Sequence, residues 1–180
     1  MPGKIDFITP TFMIVFGLFL SDPMQDYHER EVMRRTKVSK GSANKILRLL
    51  SGLGFLMRER RGRMMFYRLN RTEATVKQFK VLVTVYALKE LTDRVKGECR
   101  RIVLFGSCAQ GTDTKDSDID LFVLTSAKSS VRKKMHDFNR TSDRKITPVI
   151  VDMNELTKLK REDKPLYDNI ERGMALWEKE

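Results

Sequence analysis

Residues 104–123 read LFGSCAQGTDTKDSDIDLFV, and the order of residue types in this stretch decides the fold class of the second half of the chain. An apolar run ends in a Gly-Ser pair at 106–107, and ten residues separate this pair from Asp118. Asp118 and Asp120 then alternate with apolar residues, and side chains two apart in a β-strand project from the same face. The sequence therefore predicts a strand with two carboxylates on one face and an apolar core beneath the other.

The carboxylate pair predicts a metal site. Two carboxylates on one face repel each other unless a cation lies between them, and Mg²⁺ accepts one or two carboxylates together with phosphate oxygens. The glycine before Ser107 lets the backbone approach a phosphate, to which the serine hydroxyl and nearby amides can donate. A solvated acidic loop is the alternative, and we predict it for Asp113 and Asp116. For Asp118 and Asp120 we favour metal binding, because a loop does not explain an aspartate placed between two apolar residues.

The Gly-Ser pair, its spacing and the run DSDIDLFV together resemble the DNA polymerase β-like nucleotidyltransferase superfamily, over about residues 98–178. The resemblance implies transfer of a nucleoside monophosphate, AMP, from a nucleoside triphosphate such as ATP to a hydroxyl acceptor, with pyrophosphate leaving. It implies that Asp118 and Asp120 are catalytic ligands of Mg²⁺ or Mn²⁺. It also implies that Gly106 and Ser107 hold the β and γ phosphates.

Members of this superfamily usually carry a third carboxylate on the next strand, which here reads KITPVIVD. The aligned position is Thr147, which is a poor metal ligand and no base at neutral pH. Asp152 is the alternative third ligand, although it lies five residues on and so faces the other way in a regular strand. Asp143 lies four residues before Thr147, an even number that would place both side chains on the same face, but it precedes the strand. The sequence leaves open a weak or substrate-dependent enzyme and a domain that binds nucleotide without turnover.

The second half otherwise alternates strands and helices, which is typical of an α/β arrangement. The predicted strands are 101–105, 119–124 and 146–151, and the predicted helices are 74–96, about 128–140 and one or two within 154–178. The segment PLYDNIERGMALWE resembles the closing helix of single-domain members of the superfamily. On that helix, Tyr167 and Trp177 are predicted to be packing residues.

The N-terminal part predicts three helices and a hairpin. The helices are expected at 11–20, 28–36 and 40–53, and the hairpin at 55–69 with its turn at Arg61-Gly62. Ser39 is the predicted N-cap of the third helix and Gly54 its C-terminal glycine. A short second helix, a turn, a third helix ending in LGFL and a basic hairpin resemble the winged-helix family over about residues 8–70.

The charge distribution indicates a polyanionic partner for this N-terminal part. The net charge is +11, and residues 27–71 hold 13 basic against three acidic residues. Such a density suits double-stranded DNA, and the winged-helix resemblance implies a third helix in the major groove with the wing on the backbone. The alternatives are a solvated charged face and a dimerisation domain. The candidate DNA contacts are Ser42, Asn44, Lys45 and Arg48 on the helix and Arg58, Arg60, Arg61 and Arg63 on the wing.

We therefore predict an α+β protein in three parts: a winged helix-turn-helix DNA-binding domain at 1–72, a linker helix at 73–97, and a minimal nucleotidyltransferase domain at 98–180. The last part is expected to have a mixed sheet with flanking helices. The apolar run at 12–20 has nine residues, well short of the roughly 20 that span a membrane. Two cysteines flanking one strand are read as reduced thiols, which favours a cytoplasmic protein.

Three functions fit these observations. The first is an Mg²⁺-dependent nucleotidyltransferase tethered to a DNA-binding domain. The second is a transcriptional regulator whose degenerate nucleotidyltransferase domain binds nucleotide only. The third is an antitoxin-like protein that modifies a cognate toxin partner. Homodimerisation on a palindromic DNA site is compatible with the first two.

Overall fold

The computed structural model describes residues 5–179, and the fold is mixed α+β with two separate sheets. The chain divides into two compact units between residues 77 and 78, within a continuous helix. The α+β prediction is confirmed. Within the described part of the chain, no helix has the length and apolar character needed to cross a membrane.

The first unit has three helices and a three-stranded antiparallel sheet. A cap precedes each helix: the side chains of Thr9, His28 and Ser39 each accept a hydrogen bond from a first-turn amide, which begins the helix at the next residue. Buried phenylalanines and leucines from the first and third helices form the core. The elements are α1 (Pro10–Ser21), β1 (Tyr27–His28), α2 (Glu29–Thr36), α3 (Lys40–Gly52), β2 (Leu56–Arg61) and β3 (Met64–Leu69).

Two details of this unit differ from the sequence prediction. The hairpin turn is Gly62-Arg63, one residue later than predicted, because Arg61 still pairs with Met64 and Gly62 takes the positive φ of 62°. The short strand β1 was not predicted. It pairs with β3 through Tyr27 opposite Tyr67, and two residues are too few to give a periodic signal.

The predicted linking helix at 74–96 is interrupted. It consists of α4 (Ala74–Ala87) and α5 (Lys89–Val95), with a 3₁₀ turn at Lys96–Glu98. The buried Leu88 lies between the two helices and belongs, with Leu91, to the apolar core of the second unit. The apolar pattern alone did not reveal the break, since it runs through both helices.

The second unit contains a four-stranded mixed sheet in the order β6-β5-β4-β7. β5 and β6 are parallel, whereas β4 pairs antiparallel with both β5 and β7. Helices α5 and α7 contribute to the apolar cluster on one face, and α8 and α9 to the cluster on the other. The remaining elements are β4 (Arg101–Phe105), α6 (Gly106–Gln110), β5 (Ile119–Leu124), α7 (Lys128–Asn139), β6 (Ile146–Val151), α8 (Met153–Glu162), α9 (Lys164–Glu171) and β7 (Met174–Glu178).

The predicted closing helix is wrong beyond residue 171. Helix α9 ends there, and the chain turns at Gly173 into β7, an edge strand that pairs with β4. A Cβ on Gly173 would lie 2.5 Å from the Leu104 carbonyl oxygen, so the glycine permits this close approach to β4. Trp177 consequently packs from a strand and not from a helix.

Candidate active site

The Gly-Ser pair lies at the turn between β4 and α6. Gly106 has a φ of +69°, a left-handed conformation that side-chain-bearing residues adopt at a cost. A Cβ at this position would lie 2.5 Å from Oδ2 of Asp120. The neighbouring residue Phe105 is the cross-strand partner of Asp120. A glycine is therefore required both by the backbone turn and by the space that the Asp120 carboxylate occupies.

The two aspartates lie at the start of β5, as predicted. Ile119 and Leu121 are buried in the core, while Asp118 and Asp120 remain partly accessible. Burial, and secondly the neighbouring Asp118 charge, raises the pKa of Asp120 above its ordinary value. Ionisation of this carboxylate is thus less favourable in the protein than in water. A cation bound at the pair would relieve both effects.

Two residues, one in β6 and one just before it, contact Asp118 from the strand that runs parallel to β5. Thr147 donates a hydrogen bond from Oγ1 to Asp118 Oδ2 at 2.9 Å, and Lys145 Nζ lies 3.4 Å from the same oxygen. Thr147 is also the register partner of Asp120 in β6, so it lies beside both carboxylates. The lysine side chain is largely exposed, which limits its compensation of the Asp118 charge.

The oxygen donors of this site fit a divalent cation that is coordinated partly by the protein and partly by water and the phosphates of a bound substrate. Among residues 5–179 no cluster of three or more His, Cys, Asp or Glu side chains is arranged to hold a metal by itself. Mg²⁺, however, keeps several waters and commonly binds to one or two carboxylates together with substrate phosphates. Asp118 and Asp120 match that requirement, and the glycine turn leaves Asp120 room.

The structure does not bring Asp152 to the pair. Its Oδ1 accepts the amides of Asn154 and Glu155 in a capping box at the start of α8, and its Oδ2 lies 3.0 Å from Lys128 Nζ. It follows the end of β6 and lies five residues beyond Thr147, which corresponds to about 16 Å of extended chain. Asp143 is exposed and precedes β6. Asp152, which these contacts hold at the start of α8, does not stand in for the third carboxylate.

The prediction that Asp113 belongs to a solvated loop is wrong. Its side chain is buried, with Lys80 Nζ 3.1 Å from Oδ1 and Arg144 Nη1 3.0 Å from Oδ2. Asp116, in contrast, is exposed as expected. Sequence reasoning missed Lys80 and Arg144 as well, because 33 and 31 residues separate them from Asp113 and no local pattern signals the pairing.

The residues predicted to contact DNA fall into two groups. Asn44 donates to Glu29 at 2.8 Å, and Arg61 forms ion pairs with Asp26 and Glu59. Ser42 Oγ accepts a hydrogen bond from Ser39 Oγ at 3.0 Å, at the start of α3. These three side chains are engaged within the unit. The others are exposed and, within residues 5–179, form no salt bridge: Lys45, Arg48, Arg58, Arg60 and Arg63.

A mixed sheet on which a Gly-Ser turn faces an Asp-x-Asp strand defines a nucleotidyltransferase-like fold. The family described as "Nucleotidyltransferase domain" matches residues 86–175, which is half of the chain. The chain belongs to this family, and the predicted superfamily resemblance is confirmed at that level.

The solved structures that resemble this chain include two distant likenesses. One is the toxin–antitoxin MntA–HpeT in a mutant form, with 21% identity over 53% of this chain and 74% of that chain and a TM-score of 0.39. The other is TrmBL2, described as an archaeal chromatin protein with a novel mode of DNA binding, with 13% identity over 91% and 73% of the two chains and a TM-score of 0.34. No match was found among curated proteins.

Proposed function

We propose that the second unit transfers a nucleoside monophosphate, AMP, from ATP to a hydroxyl acceptor in the presence of Mg²⁺ or Mn²⁺. The observation that carries the proposal is the Asp118 and Asp120 pair beside the Gly106 turn, within the residues that match the family. The raised pKa of Asp120 supports it, since a partly buried carboxylate next to a second one is suited to a cation.

Each residue of the site has a proposed role. Asp118 and Asp120 hold the cation, and Gly106 and Ser107 bind the triphosphate through the turn and the hydroxyl. Thr147 orients the Asp118 carboxylate through its 2.9 Å hydrogen bond. When bound, the cation offsets the charge of the triphosphate and of the departing pyrophosphate.

The transfer itself needs no covalent enzyme intermediate. The acceptor oxygen forms a bond to the α-phosphorus, and the bond from that phosphorus to the bridging oxygen of pyrophosphate breaks. The acceptor proton leaves to solvent, because the residue opposite Asp120 is a threonine and no base at neutral pH. We therefore expect turnover to be slow and to rise with pH where the acceptor hydroxyl loses its proton more readily.

The experiment uses the full chain, Mg²⁺ and each α-labelled nucleoside triphosphate with nucleic acid and protein acceptors. We expect label transfer and pyrophosphate release with ATP, and a loss of both in Asp118→Asn and Asp120→Asn. Asp116→Asn is the matched control, since this nearby aspartate is exposed in the loop. Absence of label transfer and pyrophosphate in the unmodified chain with every acceptor would refute transfer.

Nucleotide binding without turnover is the second candidate, and the threonine at position 147 favours it. In this case the second unit senses ATP and a divalent cation, and the chain acts as a DNA-binding regulator. Calorimetric titration with ATP and Mn²⁺ separates the two candidates: binding that requires Asp118 and Asp120, with no pyrophosphate formed, supports the regulator. A chain that binds neither ligand refutes both candidates.

We further propose that the first unit binds double-stranded DNA as a winged helix. Two exposed basic side chains on α3, Lys45 and Arg48, and three on the β2–β3 hairpin support this proposal. Their charge is available for phosphates, whereas Arg61 is held by Asp26 and Glu59 and is expected to contribute less.

The test is fluorescence anisotropy of the full chain with duplex DNA between 50 and 200 mM salt. Loss of one phosphate contact lowers the salt slope by about 1, and we expect this for Lys45→Ala and Arg48→Ala. Lys158→Ala removes an exposed lysine of the second unit and is the charge-matched control. DNA binding that is absent at 50 mM salt, or that weakens equally in the control, would contradict the proposal.

A further inference from the structure

The loop that leads from α6 to the carboxylate pair is held by buried charges. Asp113 lies in this loop with 4% of its surface exposed, and Lys80 of α4 has 5% exposed. Charged side chains are almost never so deeply buried unless they are paired. Their pairing here joins α4 to the loop that carries Asp118 at its end.

Lys80 makes two contacts with the same loop residue. Its Nζ lies 3.1 Å from Asp113 Oδ1 and also donates a hydrogen bond to the Asp113 carbonyl oxygen. Both the side chain and the backbone of Asp113 are thereby held by one ammonium group. Within the loop, the Thr114 amide donates to Ser117 Oγ at 2.9 Å, which closes a tight turn before Asp118.

Arg144 connects this buried pair to the residue before Asp118. Its Nη1 donates to Asp113 Oδ2 at 3.0 Å, and its Nη2 and Nε donate to the Ser117 carbonyl oxygen at 2.8 and 3.3 Å. Nη2 also lies 3.2 Å from Cys108 Sγ, whose thiol donates to the Asp118 carbonyl oxygen at 3.4 Å. The guanidinium group therefore contacts the Ser117 carbonyl directly and the Asp118 carbonyl through Cys108.

Stability alone does not account for this arrangement. A buried ion pair costs desolvation energy that its attraction often fails to recover, and apolar residues of the same volume are frequently as stable. The charged groups do fix the position of the loop, since the guanidinium of Arg144 and the ammonium of Lys80 bind particular oxygen atoms of that loop. The Ser117 to Asp118 peptide is thus held within a network of directional bonds.

We infer that Lys80, Asp113 and Arg144 are positioning residues that hold Asp118 where it can bind a divalent cation. The inference rests on the proposed metal role of Asp118 and extends it to residues outside the carboxylate pair. Arg144 acts through the Ser117 carbonyl and through Asp113, and Lys80 acts through Asp113. None of the three is proposed to touch the cation.

The experiment measures Mn²⁺ affinity of the full chain by electron paramagnetic resonance of the free ion, with and without ATP, so no turnover is needed. It is done at a temperature at which circular dichroism shows every variant folded. We expect Arg144→Met to weaken Mn²⁺ binding at least tenfold. Arg144→Lys is expected to fall between wild type and Arg144→Met, because an ammonium group can reach only part of the acceptor set.

A double variant and two controls separate positioning from stability. Lys80→Met combined with Asp113→Leu replaces the buried pair by apolar groups, and we expect it to fold but to bind Mn²⁺ about as weakly as Arg144→Met. Ile170→Ala removes buried volume on the other face of the sheet, so it should lower the melting temperature and leave Mn²⁺ affinity unchanged. Arg140→Met removes an exposed arginine and should change neither quantity.

The outcomes distinguish this inference from the proposed function. If the wild-type chain binds Mn²⁺ and both Arg144 variants bind it equally well, the positioning role is wrong and the metal site stands. A loss in Ile170→Ala as large as that in Arg144→Met would also overturn it, since destabilisation would then explain both. If the wild-type chain binds no Mn²⁺, the metal site and the positioning role both fail. Should Arg144→Met not fold, Arg144→Lys decides, with an expected loss of about threefold or more.

Discussion

Replacing Gly106 by alanine tests the geometry of the candidate site most directly. The added Cβ would lie 2.5 Å from Asp120 Oδ2, and ordinary contact begins near 3.4 Å, so the carboxylate oxygen has to move by about 0.9 Å. Mg²⁺ and Mn²⁺ sites hold their oxygen ligands to within about 0.2 Å, and Mg²⁺ demands nearly ideal geometry. We therefore expect Mn²⁺ affinity to fall at least tenfold, which corresponds to about 1.4 kcal/mol.

The same substitution also costs stability, because Gly106 has a φ of +69°. A side-chain-bearing residue in this left-handed region is less stable by about 1–2 kcal/mol. Gly54→Ala provides the matched control, since Gly54 has a φ of +75° and no atom within 4 Å of the added Cβ. Both variants should lose similar stability, but only Gly106→Ala should lose Mn²⁺ binding.

The measurement combines chemical denaturation with Mn²⁺ titration. Trp177, the single tryptophan, lies in the second unit, so its fluorescence follows the unfolding of that unit in Gly106→Ala. Circular dichroism follows the control. If Gly106→Ala retains wild-type Mn²⁺ affinity while losing stability, the glycine serves the turn alone and the proposed proximity to a cation is wrong. If Gly54→Ala loses Mn²⁺ binding equally, the effect does not arise at the site.

Three further outcomes are expected. Asp120→Asn should raise the melting temperature at neutral pH while abolishing Mn²⁺ binding. Because the folded-state pKa of Asp120 is raised, the ionised carboxylate lowers the stability of the protein at pH values above that pKa. The stability advantage of the asparagine amide should therefore shrink as the pH falls through the folded-state pKa. An unchanged melting temperature across this range would contradict the burial of the carboxylate. Gly173→Ala should destabilise the second unit by about 1–3 kcal/mol, because the added Cβ would lie 2.5 Å from the Leu104 carbonyl oxygen and the backbone cannot move aside easily. Trp177 fluorescence during denaturation measures this loss of stability. A loss below about 0.5 kcal/mol would contradict the close approach. Arg48→Ala should weaken DNA binding with a smaller salt slope, whereas an unchanged slope in anisotropy titrations would remove that side chain from the interface.

Local patterns in the chain were sufficient for most elements. Alternation of Asp118 and Asp120 with buried apolar neighbours predicted β5 and the face of both carboxylates, since a strand repeats every two residues. Helical periodicity and the Ser39 cap predicted α3 in the same way. The Gly-Ser turn was also recognisable, because a glycine between a strand and a helix signals an unusual backbone conformation.

Long-range pairing decided what these patterns could not. The sequence of the segment that forms β7 predicts the continuation of a helix. It forms a strand because it pairs with the edge of β4, and Gly173 permits the close approach. The burial of Asp113 depends on Lys80 and Arg144, each more than thirty residues away along the chain. An aspartate in a polar loop looks the same in a sequence whether it faces water or a buried cation. The periodic signal of a segment reports which face is apolar, whereas the partner of a charged group is known only when distant segments are packed together.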